Sequence, residues 1–186
     1  MPAQSIARSA SGSLLSRTMR VPYTLLPGAC DSGIVQSTSV NHDDEASVRE
    51  ASSFYADFEA RIEREVDRLA SEGVRLVVGD IPPLAFEVAD RLVVPSLAIG
   101  NFTWDWIYET QHGFAAIDGL LPMIRRAYGK ATRALELPFA GGFEVFPSVE
   151  RLPLVARRPA RTRAETRAYF GVPADRPAAL LSFGGY

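Results

Sequence analysis

The sequence predicts an α/β fold, a Rossmann-like parallel sheet with flanking helices. Two observations carry that prediction. Between Val48 and Ile99, short apolar runs alternate with helical segments in the order helix, strand, helix, strand. The composition is globular, with 47% hydrophobic and 23% charged residues in a chain of 186. Each element follows from local signals.

Val21–Leu26 reads as a strand that Pro22 confines to a start or an edge, and Pro27–Gly28 as a turn. The acidic run Asp43–Glu45 leads into one long helix, Val48–Glu72. Phe54, Phe58, Ile62, Val66 and Leu69 form its apolar stripe, and Gly73 stops it. The runs Val74–Val78 and Leu92–Ile99 have the continuous apolar character of strands covered on both faces. Between them, Pro82–Pro83 opens a short helix ending at Asp90. A third helix is expected over Gly119–Leu135, and a short strand over Phe143–Phe146. The stretch from Arg151 to Arg167 holds six arginines and reads as a linker running into a helix, Thr162–Phe170. Ala178–Phe183 reads as a last buried strand, followed by Gly184–Gly185.

Composition excludes several functions. Twenty Lys plus Arg against 22 Asp plus Glu gives −2, without the basic excess of a general nucleic-acid binder. Cys30 is the single cysteine, so neither an intramolecular disulfide nor a cysteine-based zinc site can form within one chain. His42 and His112 are too few for a histidine-rich metal site, and nothing in the sequence requires a metal. No apolar run approaches the roughly 20 residues that span a bilayer. Residues 1–29 carry Arg8, Arg17 and Arg20 and no acid, the composition of a transit peptide or of a mis-started N-terminus. The second alternative is preferred, and the expected location is cytoplasmic.

In parallel sheets, ligands bind beyond the carboxyl ends of the strands. Asp80, Asn101 to Asp105, and Ser182 to Gly185 fall there. Asp80 either faces a ligand or caps the helix opened by Pro82–Pro83. Trp104 beside Asp105 offers a stacking ring next to a carboxylate, a pairing suited to sugars. Alternatively, Phe102 and Trp106 are core anchors and Asp105 caps a helix. The candidate substrate-binding residues are therefore Asp80, Asn101, Trp104 and Asp105. Ser182, Gly184 and Gly185 are candidates for approaching a donor phosphate, since glycines let backbone amides come close. The arginines of 151–167 and His112 read as solvated surface, and Cys30 as a packed residue without a neighbouring histidine.

Val77–Pro83 (VVGDIPP) and Pro95–Tyr108 (PSLAIGNFTWDWIY) resemble a bacterial glycosyltransferase-like family. The same block resembles the N-terminal glycosyltransferase-like region of plant L-arabinokinases. Cys30–Gln36, Leu152–Arg158 and Leu180–Gly185 extend the resemblance to about residues 21–186. It implies a GT-B architecture, in which an acceptor-side and a donor-side domain of Rossmann type enclose the active site. The implied organisation is a poorly structured or mis-started N-terminus (1–20) and a partial acceptor-side domain (21–147). An inter-domain linker and helix (148–175) and the first strand of a donor-side domain (176–186) follow. The partners it implies are a nucleotide-sugar donor and a small-molecule acceptor, with no resident cofactor.

The family's opening glycine/histidine-rich turn is absent from the sequence, so no catalytic base is assigned. The expectation is an incomplete N-terminal half of a GT-B protein, inactive in isolation. The alternatives are a non-catalytic sugar- or nucleotide-binding module associated with a sugar kinase, or a degraded reading frame. An uncovered sheet edge in such a half predicts self-association.

Overall fold

A computed structural model describes residues 5–8, 20–38, 40–156 and 158–180. The chain is an α/β protein with a Rossmann-like arrangement. Strands β3 (Val77–Gly79), β4 (Ser96–Phe102), β5 (Arg133–Gly141) and β6 (Val149–Arg151) form a four-stranded sheet in that order, and every neighbouring pair is parallel. β1 (Ser5–Arg8) and β2 (Tyr23–Leu26) form a separate parallel pair. β2 begins directly after Pro22, as a residue without an N–H donor requires.

Where one helix was expected over Val48–Glu72 there are two, α1 (Asp44–Ala56) and α2 (Phe58–Ala70). The Asp57 carboxylate between them holds Arg64 at 2.8 Å. Asp43 is the N-cap of α1, its side chain accepting from the Ala46 amide at 2.9 Å, and Asp44 and Glu45 fill the first turn. The apolar stripe is as the spacing requires. Phe54, Phe58 and Ile62 are buried, and Val66 and Leu69 pack on the same cluster.

α3 (Pro83–Arg91) joins β3 to β4. β4 leads into α4 (Trp104–Thr110), α5 (Leu120–Tyr128) and then β5. The expected helix to Leu135 thus stops at Tyr128, and Arg133–Gly141 is strand. Phe143–Val145 is a 3-10 turn instead of the expected strand. α6 (Arg163–Tyr169) has Thr162 and Phe170 as its caps, and Thr162 forms a capping box with Glu165. Residues 178–180 are not strand, and the rest of the expected strand Ala178–Phe183 lies outside the described residues.

One buried cluster gathers residues from α1 to α5 together with Ala98 of β4 and Ala134 of β5. The sheet meets it through small residues: Gly79, Ser96, Ala98, Gly100 and Ala134 are all buried. Small side chains let the helices lie close, and Phe86, Tyr128 and Phe146 fill the space with ring centroids 5.0–6.0 Å apart. The alternate positions behave differently. Val78 is 61% exposed, and Leu97, Ile99 and Leu135 are half-buried. The expectation of strands covered on both faces is therefore corrected. The unbroken apolar run hides an alternation of small buried residues and larger, less buried ones. Among the described residues, no helix is long and apolar enough to cross a membrane.

Candidate functional site

The site lies at the carboxyl ends of β3 and β4, where Asp80 follows Gly79 and α4 follows Phe102. The chain after Asp80 is held in an uncommon conformation. Ile81 has φ 55°, a left-handed value that a β-branched residue rarely adopts. Two contacts accommodate it. Gly100 leaves room, since a Cβ there would meet Ile81 Cγ2 at 2.8 Å. The buried Tyr128 hydroxyl donates to the Ile81 carbonyl at 2.9 Å and accepts from the Trp104 amide at 3.1 Å. A single hydroxyl thus ties the Asp80 turn to the start of α4.

Asp80 does not cap α3. The cap position is Pro82, Pro83 follows it, and neither has an N–H to satisfy. The Asp80 carboxylate makes no hydrogen bond among the described residues, and partial shielding from solvent raises its pKa from the ordinary aspartate value. It lies over β4, its Oδ1 3.7 Å from where a Cβ on Gly100 would stand. Asn101, next along β4, is exposed and its carboxamide is likewise free of hydrogen bonds among the described residues.

Trp104 is half-buried. Its Nε1 donates to Asp31 Oδ2 at 2.9 Å. Its rings stack on Tyr108 at 5.4 Å and meet Phe102 edge-on at 5.2 Å. Tyr108 continues the stack to Phe114 at 4.1 Å, and its hydroxyl donates to the Gly33 carbonyl and bonds Ser32 Oγ at 2.9 Å. The loop containing Asp31, Ser32 and Gly33 is thereby pinned onto α4. Burial raises the Asp31 pKa, the Trp104 N–H opposes that shift, and the negative charge of Asp80 adds to it. The carboxylate of Asp80 is thus near enough to Asp31 for its charge to be felt there.

The remaining predicted residues sit elsewhere. Asp105 is buried in the first turn of α4 and salt-bridged to Arg125 at 2.8 Å, with Oδ1 lacking a partner among the described residues. It makes no capping bond: the cap residue is Thr103, whose hydroxyl donates to the Gly142 carbonyl at 3.2 Å. Trp106 is not a core anchor, being 45% exposed. Ser182, Gly184 and Gly185 lie outside the described residues. The structure therefore brings Asp80, Asn101 and Trp104 to one end of the sheet and adds Asp31, which the sequence did not single out. No cluster of histidine, cysteine and carboxylate suited to a metal occurs among the described residues.

The two raised aspartates set a sign for pH dependence. A carboxyl with a higher pKa in the folded chain than in the unfolded one makes the fold bind the extra proton. That stability is full below the unfolded pKa of 3.8 and is lost as pH rises through the folded value. Asp31→Asn keeps an acceptor for Trp104 and removes the charge. Its stability relative to the parent should rise between about pH 3.5 and about pH 7. Urea denaturation at both pH values measures this, and a constant difference would show that Asp31 is not shielded.

These features can be set against known proteins. The chain is similar to a plant sugar kinase. It is 31% identical to the L-arabinokinase of Arabidopsis thaliana over 126 residues, which is 67% of this chain and 12% of that protein. The chain thus spans about an eighth of the relative's length. No known protein family matches the chain by its signature, and no solved structure matches it. The match shows a distant similarity to a sugar kinase and does not support a glycosyltransferase assignment.

Proposed function

We propose that this chain is a sugar-binding module, not catalytic on its own, whose ligand is L-arabinose or a closely related monosaccharide. The observation that carries the reading is the carboxylate pair Asp31 and Asp80 beside Trp104. The Asp80 carboxylate, free to take hydroxyl hydrogens, lies near a second carboxylate that holds the Trp104 indole in place, and that combination suits a polyol ring. The similarity to L-arabinokinase supports the choice of sugar.

In this reading Asp80 and Asn101 accept and donate to sugar hydroxyls. Asp31 orients the Trp104 indole. Asp105 supports α4 from inside through Arg125. The glycosyltransferase-like alternative assigns the same rim to an acceptor sugar, and Ser182, Gly184 and Gly185 to a nucleotide-sugar donor.

Calorimetric titration with L-arabinose, UDP and a UDP-sugar tests the choice. Binding of L-arabinose alone, weakened at least about tenfold (about 1.4 kcal/mol) by Asp80→Asn, is the expected result. Sugar transfer from the UDP-sugar would establish the alternative, and no L-arabinose binding would overturn the proposal.

A further inference from the structure

Phe139 combines two unfavourable features at the ligand-binding end of the sheet. Its ring is 93% exposed, and its backbone has φ 64°. Left-handed backbone is costly for a bulky residue, and an exposed aromatic ring gains nothing from burial. Glycine or asparagine would hold the same turn at lower cost. Strain of this kind clusters at functional sites. Val93 shares both features, with φ 56° and 89% exposure, but it precedes β4 at the opposite end of the sheet.

The ladder between β4 and β5 shows how the residue is presented. Gly100 pairs with Glu136 and Phe102 pairs with Gly141, so Leu137, Pro138, Phe139 and Ala140 stand opposite Asn101 alone. Such a bulge re-aims side chains at the end of a strand. Behind it the turn is firmly seated: the Trp106 indole lies so close to Gly141 that a Cβ there would meet Cε2 at 2.7 Å. Asp80 Oδ1 lies over Gly100, Asn101 follows, and the bulge with Phe139 is next. A carboxylate, a carboxamide and an aromatic ring are thus arranged across adjacent strands.

We infer that Phe139 is a stacking platform for the apolar face of the sugar whose hydroxyls reach Asp80 and Asn101. The inference rests on the sugar-binding reading above. The C–H bonds on one face of a pyranose carry slight positive charge and pack against the negative face of an aromatic ring.

The test separates stability from binding. Phe139→Asn suits left-handed backbone and should melt higher by about 2–4 °C. It should also bind L-arabinose at least about tenfold more weakly, a loss of about 1.4 kcal/mol. Phe139→Trp keeps a ring and should retain the parent's affinity. An asparagine variant that binds L-arabinose as tightly as the parent, while Asp80→Asn does not, would overturn the platform and leave the sugar site standing. Absence of L-arabinose binding by the parent would overturn both. A lower melting temperature for Phe139→Asn would overturn the strain on which the platform is argued.

Discussion

Tyr128→Ala should cost about 3–5 kcal/mol, the range for removing a large aromatic from a packed core. Tyr128 is fully buried, with ring centroids 5.8 Å from Phe86 and 5.0 Å from Phe146. A loss of that size is a large share of a typical stability of about 5–15 kcal/mol. The companion variant Tyr128→Phe keeps the rings and removes only the hydroxyl. It strands the Ile81 carbonyl and deprives the Trp104 amide of its acceptor, which should cost about 1–3 kcal/mol. Denaturant midpoints with unchanged slopes would separate packing from hydrogen bonding. A Phe variant as stable as the parent would mean that the hydroxyl bridge does not hold the Asp80 turn to α4.

Much of the helical layer was legible because its signals are local. The stripe from Phe54 to Leu69 sets the buried face of α1 and α2, and Thr162 with Glu165 announces the start of α6. β5 was not legible. Arg133, Ala134, Leu135, Glu136 and Leu137 are good helix formers, and they follow α5 closely. Pairing with β4 overrides that preference, and Gly129 closes α5 before them. The two-faced burial assigned to β3 and β4 failed for a related reason. Hydrophobicity alone does not separate alanine and glycine, which admit a helix, from the valine and isoleucine on the other side.

The candidate site was legible where one strand end sufficed. Asp80, Asn101 and Trp104 all follow from the rule that parallel strands present ligands at their carboxyl ends. Asp31 needed more, because its partner Trp104 lies 73 residues away. A usable signal was nevertheless there: Asp31 sits in the loop after β2, so the same rule, applied to that strand, would have reached it. The strain at Ile81 and Phe139 had no sequence signature, since neither residue type advertises positive φ.

Gly142→Ala should destabilise by about 2–5 kcal/mol, through about 1–2 kcal/mol of left-handed backbone strain and about 1–3 kcal/mol of overpacking. Gly142 has φ 85°. A Cβ there would collide with the Thr103 hydroxyl and meet Trp106 Cβ at 2.5 Å. Thr103 is fully buried and already bonded to the Gly142 carbonyl, so it cannot swing aside without leaving its hydroxyl unsatisfied. Gly119→Ala supplies the control. Gly119 has φ 68° but nothing within 4 Å of its added Cβ, so that variant should show strain alone. The excess cost at Gly142, read from paired urea denaturations, measures how tightly the end of β5 clasps the start of α4. Because Trp104 is the first residue of α4, the Gly142 variant should also weaken L-arabinose binding, while Gly119→Ala should not. Equal destabilisation by the two substitutions would mean that the Thr103–Gly142 contact does not fix α4, and Trp104 would then owe its position to Tyr128, Asp31 and its ring contacts with Phe102 and Tyr108.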